Sequence, residues 1–223
     1  TYRVLFDDGG REIQYIRQRI NPNVFPDIPA LMENIGGVLR HLKSKLDGPS
    51  DSVAERRILT LIPTVDGADY LTDAKGDFWR TYVFVTDARG VDVIENTTQA
   101  FEAAKAFGTF QSQLADLPGR LHETIPRFHD TPSRYQDLLS AINDDDVNRA
   151  ASAKDDIAFA VQHESLTTLV MDRIASGALP ERVTHNDTKL NNVLLDTTSH
   201  RGVCVIDLDT VMPGSPLFDF GDM

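Results

Sequence analysis

The sequence predicts an α+β chain in which a small β-rich N-terminal part precedes a larger helical part. Three observations carry this reading. The first 20 residues hold two β-rich runs around a turn with two glycines. Helical periodicity dominates from residue 97 onward, after a change of character at 86–95. Near the C-terminus, VLL (193–195) and VCVID (203–207) flank a polar turn and read as a second hairpin.

Taken in order, TYRVLF (1–6), DDGG (7–10) and REIQYIRQRI (11–20) form the first hairpin. The loop NPNVFPDIP (21–29) leads to a helix at 30–46, with Leu31, Ile35, Val38, Leu39 and Leu42 on one face. The polar stretch DGPSDS (47–52) precedes RRILTLIPTV (56–65), which reads as a strand. A turn, a short strand and another turn fit 66–77, and FWRTYVFV (78–85) is aromatic and β-branched, hence a further strand. Residues 97–114 carry Ala100, Ala103, Phe107, Phe110 and Leu114 at steps of three and four, a helical stripe. Most of 132–178 is also helical. The acidic NDDD at 143–146 reads as a loop and helix start, where negative charge complements the dipole, rather than as a metal site. The expected division is residues 1–90 as the N-lobe and 91–223 as the C-lobe.

Bulk properties narrow the function classes. The chain has 223 residues, net charge −12 and scattered Lys and Arg, which argues against a nucleic-acid binder. No run of about 18 apolar residues predicts a membrane span. The one cysteine, Cys204, has no partner for an internal disulfide, so a reducing cytoplasm is the expected setting. Both ends look cut: the chain starts at Thr1 inside a strand-like run and stops at Met223 just after a motif. It reads as a piece of a longer protein.

The chemistry concentrates in VTHNDTKLNNVLLD (183–196). This run contains H-x-D-x-x-x-x-N as His185, Asp187 and Asn192, the spacing of a kinase catalytic loop. There the aspartate meets the acceptor hydroxyl and the asparagine meets a metal on the phosphates, so a short loop returning into a strand must hold both on one side. Lys189 lies two residues beyond Asp187, where it can touch a transferred phosphoryl group. Pairing 193–195 with 203–207 brings Asp207 beside that loop, adding a carboxylate to an amide as hard oxygen ligands suited to Mg²⁺. Taken singly, Asp187 would be a turn residue and Asn192 a cap; the ordered set gives them a joint chemical role. His185 is expected to brace the backbone. A literal D-F-G, Asp219-Phe220-Gly221, stands 32 residues beyond Asp187, whereas Asp207 stands 20 beyond it. Asp219 is therefore expected to cap or brace, with the metal carboxylate in V-I-D.

THNDTKLNNVLLD…VCVIDLDTVMPGSPLFDFGD resembles the aminoglycoside phosphotransferase/choline kinase superfamily. YIRQRINPNVFPDIPALMENI (15–35), FWRTYVFV and FGTFQSQLADLPGRLHETIPRFHDT (107–131) are similar to the N-acetylhexosamine 1-kinase group within it. The resemblance implies a protein-kinase-like two-lobed fold with ATP in the cleft, Asp187 as catalytic aspartate, and Asn192 and Asp207 as Mg²⁺ ligands. It also implies a phosphate-binding cation at Arg19, partnered by Glu33, and a hinge after Tyr82 where the backbone of Phe84 and Val85 meets adenine. The glycine-containing phosphate loop is expected before Thr1 and the acceptor-pocket helices after Met223. The implied activity is phosphoryl transfer to a small-molecule hydroxyl, foremost the anomeric hydroxyl of an N-acetylhexosamine. Aminoglycosides, choline-like alcohols and other sugars are alternative acceptors. A non-catalytic nucleotide-binding module is the alternative of another class.

Overall fold

The computed structural model describes residues 1–46 and 56–223. The polar stretch at 47–52 lies outside the described residues. Two compact units are present, one formed by residues 1–125 with 183–223, the other by 126–182.

In the first unit, β1 (Tyr2–Asp8) and β2 (Arg11–Ile20) form the expected antiparallel hairpin, with Tyr2 opposite Arg17 and Asp8 opposite Arg11. Gly9 and Gly10 both have positive φ, which the tight turn requires and side chains resist. β3 (Leu71–Thr72) and β4 (Phe78–Val83) complete a sheet of order β1-β2-β4-β3. The expected strand at 56–65 does not form among its described residues. Only Leu61 bridges to Tyr82, because Pro63 has no N–H to donate while Ile58 and Leu59 turn into the core.

Helix α1 (Ile28–Ser44) starts two residues earlier than its periodicity indicates, since Asp27 caps it by accepting from Ala30 N at 3.0 Å. All five residues of its predicted stripe are buried. They share one core with Ile20 and Tyr82 of the sheet and with Phe110, Cys204 and Leu208. Helix α2 (Thr97–Gln113), capped by Asn96, turns Ala103 and Phe107 onto Val193 and Leu195. Those two residues belong to β7 (Val193–Asp196), which pairs with β8 (Gly202–Val205) as the expected hairpin and on its other edge with β5 (Ala88–Arg89). A two-stranded pair of β6 (Arg182–Thr184) with β9 (Met212–Gly214), then α6 (Pro216–Asp222), follow around it.

The second unit is helical, with α3 (Thr131–Asp144), α4 (Lys154–Gln162) and α5 (Leu169–Ala175) linked by two 3₁₀ turns. Here the NDDD expectation is corrected in part: Asn143 and Asp144 end a helix, while Asp145 and Asp146 lie in the loop before the next helical turn. Asp144 is the last residue of α3 and Asp145 is its left-handed cap, φ 40°. The carboxylate of Asp145 then accepts from Arg149 N and Ala150 N, so local hydrogen bonds outweigh the unfavourable dipole at this end. Among the described residues no helix is long and apolar enough to cross a membrane.

Candidate active site

Strand β6 ends at the buried Thr184 and delivers the chain into the loop 185–192, whose first residues His185, Asn186 and Thr188 are almost completely buried as well. Burial obliges their polar groups to find partners. Asp219 of α6 supplies them, accepting from His185 N at 3.0 Å, Asn186 N at 2.7 Å and the Gln111 amide. The Thr188 hydroxyl donates to the Asp219 carbonyl at 2.6 Å. Asn186 takes a left-handed φ of 65° and reaches across to donate to Thr210 O at 3.0 Å. His185 donates through Nε2 to Ile206 O at 2.9 Å, which fixes its tautomer, and packs edge-on against Phe107 and Phe110. Burial pushes its pKa below the ordinary 6.5, only partly offset by that hydrogen bond, so the ring is held neutral.

The next residues form a compact polar cluster. Asp187 Oδ2 accepts from Lys189 Nζ at 2.7 Å and from Asn192 Nδ2 at 2.9 Å, and the same amide donates to Asp187 O at 2.8 Å. The hydrogen bond to Asp187 raises the pKa of Lys189. Asn192 closes a 3₁₀ turn (Leu190–Asn192), and its carbonyl accepts from Ile206 N at 2.9 Å. That bond docks the end of β8 onto the loop and places Asp207 next to it. Asp207 is left-handed, φ 60°, and starts a second 3₁₀ turn, Leu208–Thr210. Burial, reinforced by the charge of Asp209, raises its pKa.

Asn192 and Asp207 open onto a cavity of about 280 Å³ together with Phe84 and Val85. Ile16 and Gln18 of β2, Arg80 and Tyr82 of β4, and Leu194 complete most of its wall. The fold thus brings four of the expected nucleotide and metal residues to one space, with Asp187 bonded to one of them. Among the described residues, no group of three or more His, Cys, Asp and Glu side chains forms a metal cage. One carboxylate and one amide oxygen at an open cavity nonetheless suit a magnesium ion that takes its remaining ligands from phosphates and water.

Arg19 and Glu33 are not brought to this site. Strand parity decides the first: Gln18 faces the cavity, so Arg19 points to the opposite face of the sheet, where it pairs with Asp77 at 3.3 Å. Glu33 lies on the exposed side of α1 and meets His122 at 2.9 Å, while its neighbour Asn34 is buried and bonded to the backbone of His122. The cation in the cavity wall is Arg80, which is 4% exposed. Its guanidinium donates to Asp209 Oδ2 at 2.8 Å and to Gln18 Oε1 at 3.0 Å. Burial opposes its charge, but Asp209 and Asp207 outweigh this and raise its pKa. Burial also pushes Tyr82 up to about 12. A signal for Arg80 was present in FWRTYV, where it shares the inward parity of Phe78 and Tyr82.

Solved structures similar to this chain include phosphotransferases and kinases. The chain superposes on an aminoglycoside phosphotransferase from Alicyclobacillus acidocaldarius subsp. acidocaldarius DSM 446 with a TM-score of 0.55 and 16% identity, covering 97% of this chain and 64% of that one. A microcompartment-associated aminopropanol kinase gives 0.53 at 16% identity, covering 98% and 64%. An amicoumacin kinase in complex with AMP-PNP, Ca²⁺ and Ami gives 0.57 at 11% identity, covering 99% and 62%. The chain therefore spans a little under two thirds of the length of each. At these identities the likeness establishes a kinase-like α+β fold. Family membership rests on the sequence itself: residues 11–223 match the phosphotransferase enzyme family, known as APH, and the chain belongs to that family.

Proposed function

We propose that this chain carries the nucleotide and metal site of an ATP-dependent kinase acting on a small-molecule hydroxyl. The single observation that carries the reading is the shared cavity: Asn192 and Asp207 line it beside Phe84 and Val85, and Asn192 hydrogen-bonds Asp187. Residues 1–90 would serve as the nucleotide-binding lobe and 91–223 as the catalytic lobe. Phe84 and Val85 would meet the adenine with their backbone. Asn192 and Asp207 would hold Mg²⁺, which when bound offsets phosphate charge.

Asp187 orients the acceptor. Two of its contacts, from Lys189 and Asn192, fall on the same oxygen, Oδ2, and fix the carboxylate plane. The acceptor oxygen bonds to the γ-phosphorus as the bond from that phosphorus to the bridging oxygen of ADP breaks, and the hydroxyl proton passes to Asp187. Lys189 offsets negative charge on the moving phosphoryl group. Positioning and charge stabilisation supply most of the rate in this chemistry. His185 and Asp219 act one layer back, holding the loop.

The acceptor we favour is the anomeric hydroxyl of an N-acetylhexosamine, supported by the runs at 15–35 and 107–131. Aminoglycosides and amino alcohols are the competing class, favoured by what the structural neighbours act on. Assaying ADP release from the parent protein with a panel of N-acetylhexosamines, aminoglycosides and amino alcohols separates them. No turnover with any N-acetylhexosamine rejects the sugar acceptor. Asp187→Asn should lower turnover by about three orders of magnitude or more while ATP still binds. Near-wild-type turnover in that variant would reject the role given to Asp187.

A further inference from the structure

We infer that Arg80 is the phosphate-facing cation of the cavity, a role for which β2 offers only Gln18. The inference rests on the nucleotide reading of the cavity given above. Of the described residues lining that space, Arg80 alone carries a positive side chain, against the carboxylate of Asp207. A nucleotide's phosphates brought next to Asp207 need compensating charge, and a cation in a water-poor wall acts strongly.

The guanidinium is held for that task. Gln18 and Arg80 are direct partners in the β2–β4 register, and their side chains are bonded at 3.0 Å. Asp209 pairs with the tip of the fork, Nη1 at 2.5 Å and Nη2 at 2.8 Å, and Tyr82 lies under the cation at 5.4 Å from its ring centre. Arg80 lines the cavity and Asp209 is not among its lining residues. With Asp209 and Gln18 fixing the plane of the fork, little rotamer freedom remains to be lost when an anion arrives. Arg19 cannot take this role because it lies on the far face of the sheet, beside Asp77.

The register pair provides a test in the parent protein. Binding of ATP with Mg²⁺, and separately of adenosine, is measured by titration calorimetry for the wild type, R80Q, R80K and the swap Q18K/R80Q. R80Q should weaken ATP by about tenfold or more and leave adenosine within about twofold, since adenosine has no phosphates to meet the missing charge. R80K should recover part of the loss, and the swap, which moves the cation across one register pair, should recover most of it. Unchanged ATP affinity in R80Q overturns the inference, as does an equal loss for ATP and adenosine, which would mark a merely structural residue. Should R80Q not fold, the swap decides: ATP within about fivefold of wild type upholds the inference, and lost ATP with adenosine retained overturns it. A wild-type parent protein that binds neither ligand overturns the nucleotide reading itself, a result distinct from any failure of R80Q.

Discussion

Replacing Asp219 tests whether the literal D-F-G aspartate is a brace or a ligand. Its side chain is fully buried, and its two oxygens accept from two backbone N–H groups and one amide. Asp219→Ala leaves the N–H groups of His185 and Asn186 buried without acceptors. Each such group costs about 1–3 kcal/mol, and the lost Gln111 contact adds to this, so the variant should be less stable by roughly 3–5 kcal/mol. Asp219→Asn keeps one acceptor oxygen and should cost about 1–3 kcal/mol. Urea unfolding followed through Trp79, the only tryptophan, reports the global transition from β4, away from α6. The midpoint should fall with the m-value unchanged. A loss below about 1 kcal/mol for Asp219→Ala would refute the bracing role. Where the variants remain folded, Mg²⁺-dependent ATP binding should persist in Asp219→Asn and vanish in Asp207→Ala. The opposite pattern would move the metal ligand to Asp219.

Two further outcomes follow from the same loop. A Cβ at Gly214 would collide with Thr184 Oγ1 and lie 2.7 Å from Asn186 Oδ1, both on buried side chains, so Gly214→Ala should cost about 1–3 kcal/mol in urea unfolding. Wild-type stability there would show that the loop has room to shift. His185 has a folded pKa below its ordinary 6.5, so the unfolded chain takes up a proton first on acidification. Its contribution is therefore complete above about pH 6.5 and is lost as pH falls toward the folded value. His185→Gln should flatten that acid-side slope in urea midpoints measured between about pH 7.5 and 5. An unchanged slope would mean that folding does not lower the pKa of His185.

How legible the fold was depended on how local its causes were. The stripe of α1 was readable because burial against one core selects a single helical face, and all five of its predicted residues are inside. The β7–β8 hairpin was readable because two apolar runs flank a short polar turn, and the catalytic-type loop because its chemistry compels fixed spacing. The run at 56–65 misled because its apolar residues, Ile58 and Leu59, serve the core without a ladder, and Pro63 interrupts pairing. NDDD misled because composition does not say which end of a helix a charge occupies. Arg19 misled for a geometrical reason: a one-residue difference on a strand exchanges cavity for solvent. With cations at 17 and 19 and glutamine at 18, charge alone points to the wrong face. The cavity's cation comes instead from a strand more than 50 residues later, through a pairing that the sequence does not display.

The two aspartates near the C-terminus make the same point about chemistry. Asp207 and Asp219 are both carboxylates close to the loop 185–192, and the tripeptide around Asp219 has the more familiar letters. What separates them is how their oxygens are already used. Asp219 is enclosed and receives three donors, so its lone pairs are committed to the backbone it orients. Asp207 lines the cavity, and burial beside Asp209 makes its negative charge costly without a metal ion, although Arg80 and Lys189 offset part of that cost. A bound cation would relieve that cost, whereas at Asp219 it would have to displace hydrogen bonds that hold the loop. The proposed scheme therefore places Mg²⁺ on Asp207 and leaves Asp219 to keep His185 and Asn186 in position, so that Asp187 is presented at a fixed height above Asn192.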